Sequence, residues 1–173
     1  RALNNLLTSV LFFGKADENK LEFKPKKVFM GAFVKEVLDT VQAGIENGVT
    51  INSEIGELPK TITTDPELVY QVLENLLSNA VKYSKDKGKV EFKLSVENGF
   101  LKAKVADKGI GIPKSEQSQL FDRFFRAKNV GIIEGSGLGL SIVKKCLEVL
   151  QGEIEFESEQ NKGTVFRVSI PVK

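Results

Sequence analysis

Two glycine-patterned stretches carry the residues best suited to chemistry: Asp107-Lys108-Gly109-Ile110-Gly111-Ile112 and Gly135-Ser136-Gly137-Leu138-Gly139-Leu140. Glycine allows close backbone approach and positive φ, and N–H groups at a helix start attract phosphate. The pair predicts a nucleotide pocket with a lid between its halves. Asp107 is an acceptor suited to the exocyclic amino group of adenine, where guanine carries a carbonyl. Gly109 and Gly111 would bring the backbone to the base with no Cβ in the way. The N–H groups of Gly137, Leu138 and Gly139 would hold phosphates. Asn75, Asn79 and Lys82 are spaced by four and then three, so they project from one helical face. Asn79 offers an amide oxygen to Mg²⁺, an ion bound through few protein ligands plus water and phosphate. Lys82 is a point charge for phosphate oxygens, and Arg126 is suited to a charge-assisted contact with the terminal phosphate.

Each residue also has a plain structural reading. A helical Asn is ordinarily solvated, and Asp107 could merely cap its own turn. Arg123 and the lysines of 24–27 and 85–89 read as solvated surface. Phe121, Phe124 and Phe125 are expected to fasten the lid to the core, and Cys146 to be core rather than reactive. The order and spacing of the whole set, not any one member, carries the nucleotide reading.

Composition removes competing chemistries. The chain has 173 residues and no histidine, which excludes Ser-His-Asp and Cys-His catalysis and His-based zinc sites. It has no G-x-x-x-x-G-K-[ST] phosphate loop. The sixth residue counted from Gly135 is Leu140, so the dinucleotide pattern G-x-G-x-x-G is missing as well. A net charge of +2 gives no field for nucleic acid, and a single cysteine allows no intrachain disulfide. No apolar run reaches the ~18–20 residues of a membrane span. The start at Arg1 suggests a piece of something longer.

The elements that must position these residues follow from periodicity. Residues 1–13 carry a helical apolar stripe, either a core helix or the tail of a helical bundle. An edge strand tolerating Pro25 is expected around 21–29. A helix over 30–47, strands over 49–55 and 60–64, and a helix from an Asp65 N-cap to about Tyr83 come next. Strands 89–97 and 100–107 flank an Asn98-Gly99 hairpin turn. A short helix near 115–125 should interrupt the lid. A helix over 137–150 and strands 153–158 and 164–172 complete an α/β sandwich with a mixed sheet and helices on one face.

That order resembles the sensor histidine kinases. Glu74-Asn75-Leu76-Leu77-Ser78-Asn79-Ala80-Val81-Lys82-Tyr83-Ser84 is similar to their N box and Asp107–Ile112 to the G1 box. Phe121–Arg126 is similar to the F box and Gly135–Leu140 to the G2 box. The resemblance implies a Bergerat-type ATP-binding domain over 20–173, with 1–14 the end of the dimerisation and phosphoacceptor bundle. It implies ATP and Mg²⁺, with Asn79 and Arg126 in the catalytic role and Asn79 the metal ligand. Asn75 would lie near the phosphates, Lys82 on phosphate, Tyr83 on the nucleoside and Asp107 on adenine. Thr164 would back the adenine contact. Gly109, Gly111, Ile112 and all of Gly135 to Leu140 (Gly135, Ser136, Gly137, Leu138, Gly139, Leu140) would line the nucleotide. Implied partners are the phosphoacceptor bundle, a downstream response regulator and a second copy in a full-length homodimer, with no nucleic acid. The domain would be cytoplasmic in a free or membrane-anchored parent. The phosphoacceptor histidine is absent, so the chain would hold ATP for an acceptor elsewhere. The alternatives are a gyrase, mismatch-repair or chaperone-type ATPase using Glu74, and a non-catalytic nucleotide-binding module.

Overall fold

The computed structural model describes residues 21–131, 133 and 135–173; the expected helix over 1–14 lies outside them. The elements run β1 (Lys26–Phe29), α1 (Met30–Ala43), β2 (Thr50–Ile55), β3 (Thr61–Thr64), α2 (Pro66–Tyr83), β4 (Lys89–Glu97) and β5 (Phe100–Asp107). Two short 3₁₀ turns, Lys114–Gln119 and Lys128–Val130, precede α3 (Gly139–Leu150), β6 (Glu153–Glu159) and β7 (Gly163–Pro171).

Five strands form the main sheet in the order β2-β4-β5-β7-β6, with β2 and β4 parallel and the other pairs antiparallel. Alternation decides its faces. Val90, Phe92 and Leu94 of β4, Leu101, Ala103 and Val105 of β5, and Phe166, Val168 and Ile170 of β7 are buried, while Lys93, Lys102 and Lys104 face outward. The buried face lies against the apolar stripes of the helices: Val34, Val37 and Val41 of α1, Val72, Leu73, Leu76 and Leu77 of α2, and Ile142, Val143, Leu147 and Leu150 of α3. This is the expected sandwich with a mixed sheet.

Helix α2 is the central support. Asp65 accepts from Glu67 N at 3.1 Å and Leu68 N at 3.2 Å, and Pro66 follows it at the first helical position. Its second carboxylate oxygen accepts from Lys24 N at 2.8 Å; residues 21–25 lie outside any strand, so the expected edge strand begins only at Lys26. Cys146 is fully buried, and that burial, helped by the negative charge of Asp65, pushes its thiol up to about 12. It is a core residue, as expected.

Four expectations change. Among the described residues, strands β1 and β3 form a separate two-stranded sheet, with reciprocal backbone bonds from Thr63 to Lys173. Helix α1 ends at Ala43, not Asn47: Gly44 closes it, and Asn47 instead accepts from Val49 N and donates to Val81 O. Short polar side chains compete with the helix in this way. Among its described residues the lid has two 3₁₀ turns and no α-helix, and Phe124 beyond the first adopts φ 59°. Helix α3 starts at Gly139, because Gly137 has φ 72° and cannot be helical.

Candidate functional site

One face of α2 supplies the polar floor of the site. Asn75, Asn79, Lys82 and Tyr83 are all half-buried there. Asn75 donates to the Gln71 carbonyl at 2.8 Å, which fixes its side chain along the helix. The Lys82 ammonium lies 4.4 Å from the centre of the Tyr83 ring, a cation–π contact. Asn79 has no hydrogen bond among the described residues, so its amide is available.

The Gly135–Gly139 loop closes over this floor. A methyl placed on Gly135 would sit 2.5 Å from Lys82 Nζ and 3.7 Å from Tyr83 Oη. One on Gly139 would sit 2.9 Å from Asn75 Oδ1 and 3.6 Å from Asn79 Nδ2. The loop and α2 are therefore in direct apposition. Leu138, the residue before α3, offers no side-chain cap, so the first N–H groups of that helix are without intrahelical partners. Leu138 N itself is taken by Ser136 Oγ at 3.3 Å. The side chains of Leu138, Leu140 and Ile112 pack into or against the core. The backbone N–H groups of Leu138 and Ile112 are also bonded within the protein.

The other half of the site is the end of β5. Asp107 Oδ1 accepts from Gly109 N at 2.7 Å. Burial raises the Asp107 carboxyl from 3.8 to about 6, even though the backbone N–H groups of Gly109 and Thr164 pull it down. Desolvating a carboxylate disfavours its charged form, so this group is poised for a donor that can stabilise the charge. Glu74, next to the polar face, is also raised by burial. However, the glycine loop meets Asn75 and Asn79 rather than Glu74.

Gly109 and Gly111 prove necessary for packing within the protein. A Cβ on Gly109 would lie 1.9 Å from the Tyr83 carbonyl oxygen, and one on Gly111 would lie 2.0 Å from that of Glu159. The loop instead bonds these neighbours: Ile110 N donates to Tyr83 O at 3.1 Å and Asn161 N donates to Ile110 O at 2.7 Å.

Three residues that local patterning does not single out hold this loop. Ser158 Oγ accepts from Ile112 N at 2.9 Å. Gln117 donates to Ile112 O at 3.1 Å and to Ser158 O at 3.0 Å. Asn129 donates to Gly111 O at 2.8 Å. Ile112, whose N–H Ser158 accepts, lies 46 residues away in sequence, beyond any periodicity signal.

The lid departs from expectation. Phe121 packs edge-on against Phe156 with ring centres 5.9 Å apart, as a fastener should. Phe124 is 69% exposed and fastens nothing. Arg126 is exposed on the lid, its guanidinium donating to the Ile133 carbonyl.

The donor set suits a metal held chiefly by its nucleotide. Among the described residues no group of three or more His, Cys, Asp or Glu could cage a cation, whereas Asn79 presents a free amide beside the Gly135–Gly139 loop. That fits Mg²⁺, which keeps waters and phosphates as most of its ligands.

Comparison with known proteins agrees with this geometry. The family model described as histidine kinase-, DNA gyrase B-, and HSP90-like ATPase matches residues 64–173. The sensor histidine kinase WalK of Bacillus subtilis (strain 168) is 31% identical over 172 residues, covering 97% of this chain and 28% of that protein. The catalytic domain of histidine kinase ThkA is 27% identical with a TM-score of 0.72, covering 87% of this chain and 96% of that one. Full-length ShkA, solved in complex with AMPPNP, is 26% identical with a TM-score of 0.81, covering 98% of this chain and 36% of that one. The chain spans under half the length of the curated relatives it matches. Among the described residues no helix is long and apolar enough to cross a membrane.

Proposed function

The chain belongs to the histidine kinase-, DNA gyrase B- and HSP90-like ATPase family, and from that premise we propose that it holds Mg-ATP for γ-phosphoryl transfer to a histidine of a sensor kinase. Residues 20–173 form the ATP-binding catalytic domain. The chain contains no histidine, so the acceptor belongs to another segment or subunit. In a full-length homodimer the helical bundle that carries the acceptor is its first partner, and a response regulator receives the phosphoryl group afterwards. The domain works in the cytoplasm.

The observation that carries this reading is the apposition of the Asn75/Asn79/Lys82/Tyr83 face with the Gly135–Gly139 loop, with Asp107 at the adjoining strand end. Asp107 accepts from the adenine amino group, with Thr164 behind it. Lys82 and the first N–H groups of α3 hold phosphate oxygens, Asn75 lines them, and Tyr83 contacts the nucleoside. Asn79 ligates Mg²⁺, whose contribution when bound is to neutralise charge on the β- and γ-phosphates. Arg126 must leave the Ile133 carbonyl to reach the γ-phosphate. Catalysis is then mostly positioning and electrostatic stabilisation.

Incubating the chain with ATP and the His-bearing bundle of its parent should label that histidine. Steady phosphate release by the chain alone, abolished by Glu74→Ala, would favour the ATPase reading instead. Nucleotide binding with neither reaction would leave a non-catalytic module.

A further inference from the structure

Three side chains form a row across the end of the main sheet. Asp107 of β5 stands opposite Thr164 of β7, and Thr164 stands opposite Ser158 of β6. Directly opposed residues of antiparallel strands share a face, so carboxylate and two hydroxyls line up side by side. Thr164 is buried, at 7% exposure.

The protons of this row can be counted. Ser158 Oγ has three neighbours: Ile112 N at 2.9 Å, Gly163 O at 3.0 Å and Thr164 Oγ1 at 2.8 Å. The backbone N–H can only donate and the carbonyl can only accept. A serine hydroxyl has one proton and two lone pairs. Its proton therefore goes to Gly163 O, and one lone pair takes the Ile112 N–H. The remaining lone pair faces Thr164, so Thr164 must be the donor in that contact. This spends the single Thr164 proton and leaves its hydroxyl able only to accept elsewhere. Asp107 beside it is an acceptor too, with Oδ1 engaged by Gly109 N.

We propose that Ser158 is a specificity-determining positioning residue: by consuming the Thr164 proton it makes the Asp107–Thr164 edge acceptor-only, which selects a 6-amino purine over a 6-oxo purine. A 6-oxo group would set its acceptor against two acceptors with no proton between them. The inference rests on the reading that Asp107 faces the base.

Calorimetric titration of the chain with ADP and with IDP, which differ at purine position 6, tests it. The wild-type chain prefers ADP. Ser158→Ala frees the Thr164 hydroxyl to rotate and donate, and the ADP-to-IDP preference falls about fivefold. Ser158→Thr, which keeps the hydroxyl, retains the preference. Equal losses for both nucleotides in Ser158→Ala would show a purely structural role and overturn the proposal, as would an unchanged ratio. If Ser158→Ala does not fold, Thr164→Val serves: it removes the acceptor and should weaken ADP while leaving IDP unaffected, and equal losses again overturn the proposal. Asp107→Asn separates the two failures. If it leaves ADP affinity unchanged, the base-side reading itself is wrong. If it weakens ADP while Ser158→Ala preserves the ratio, only the role of Ser158 is wrong.

Discussion

The two halves of the site are built to opposite standards. On the base side, Asp107–Ile112 is clasped from three directions: by the end of α2 through Tyr83 O, by the β6–β7 hairpin through Ser158 and Asn161, and by the lid through Gln117 and Asn129. On the proposed phosphate side, Phe124 and Arg126 are exposed, Arg126 is bonded to a loop carbonyl, and Leu138 N is bonded to Ser136 Oγ. The proposed base-side loop is thus held by bonds within the protein. On the phosphate side Asn79 and the first N–H groups of α3 are unspent, whereas Arg126 and Leu138 N are bonded within the protein, and exposed segments of this kind are the ones that move at low cost.

The largest effect should come from breaking the clasped half. Gly109→Ala drives a methyl into the Tyr83 carbonyl, and overpacking of that kind costs about 3 kcal/mol. Urea unfolding should show a lowered midpoint; an unchanged one would mean the loop is not clasped to α2. Next, Asn79→Ala strikes the phosphate half without touching the clasp. Mg-ATP affinity should fall about tenfold while the unfolding midpoint holds. Equal weakening of Mg-free nucleotide would remove Asn79 from the metal.

Protonation separates the halves again. The native Asp107 carboxyl is held at about 6, above its ordinary 3.8. The folded chain therefore binds this proton more tightly than the unfolded one. Its contribution to stability is fully present below 3.8 and is lost as pH rises through about 6. Nucleotide binding has the opposite sign, because the ionised carboxylate is the acceptor: affinity should be level above neutrality and decline below about 6. Titrations across that range should show the decline in the wild-type chain and none in Asp107→Asn. The smallest effect belongs to the lid tip. Phe124→Ala should change stability by no more than about 0.5 kcal/mol, whereas Phe121→Ala, which loses its contact with Phe156, should cost about 2 kcal/mol. Equal costs would show that Phe124 is packed after all.

Much of this contrast is written in local sequence. Asp65-Pro66 announces the start of α2, and the spacing of Asn75, Asn79 and Lys82 puts them on one face of it. Asn98-Gly99 forms the expected turn, both residues having positive φ. What local patterns cannot hold is long-range bonding. Ser158, Gln117 and Asn129 look like ordinary strand-end and loop residues until folding brings the loop of Gly109 and Gly111 to them. The separate β1–β3 sheet was illegible for the same reason, since alternation marks a strand but not its neighbour. Phe124 misled because an aromatic residue in a loop suggests burial, whereas its left-handed backbone turns it outward.

The central claim is that Asp107 reads the base through its carboxylate. Calorimetric titration of wild-type and Asp107→Asn chains with a non-hydrolysable ATP analogue at pH 7.5 tests it most directly. A hydrogen bond to a charged group is worth about 1.5–3 kcal/mol, so the affinity of the variant should fall at least about tenfold. An unchanged affinity would contradict the account and remove Asp107 from the pocket.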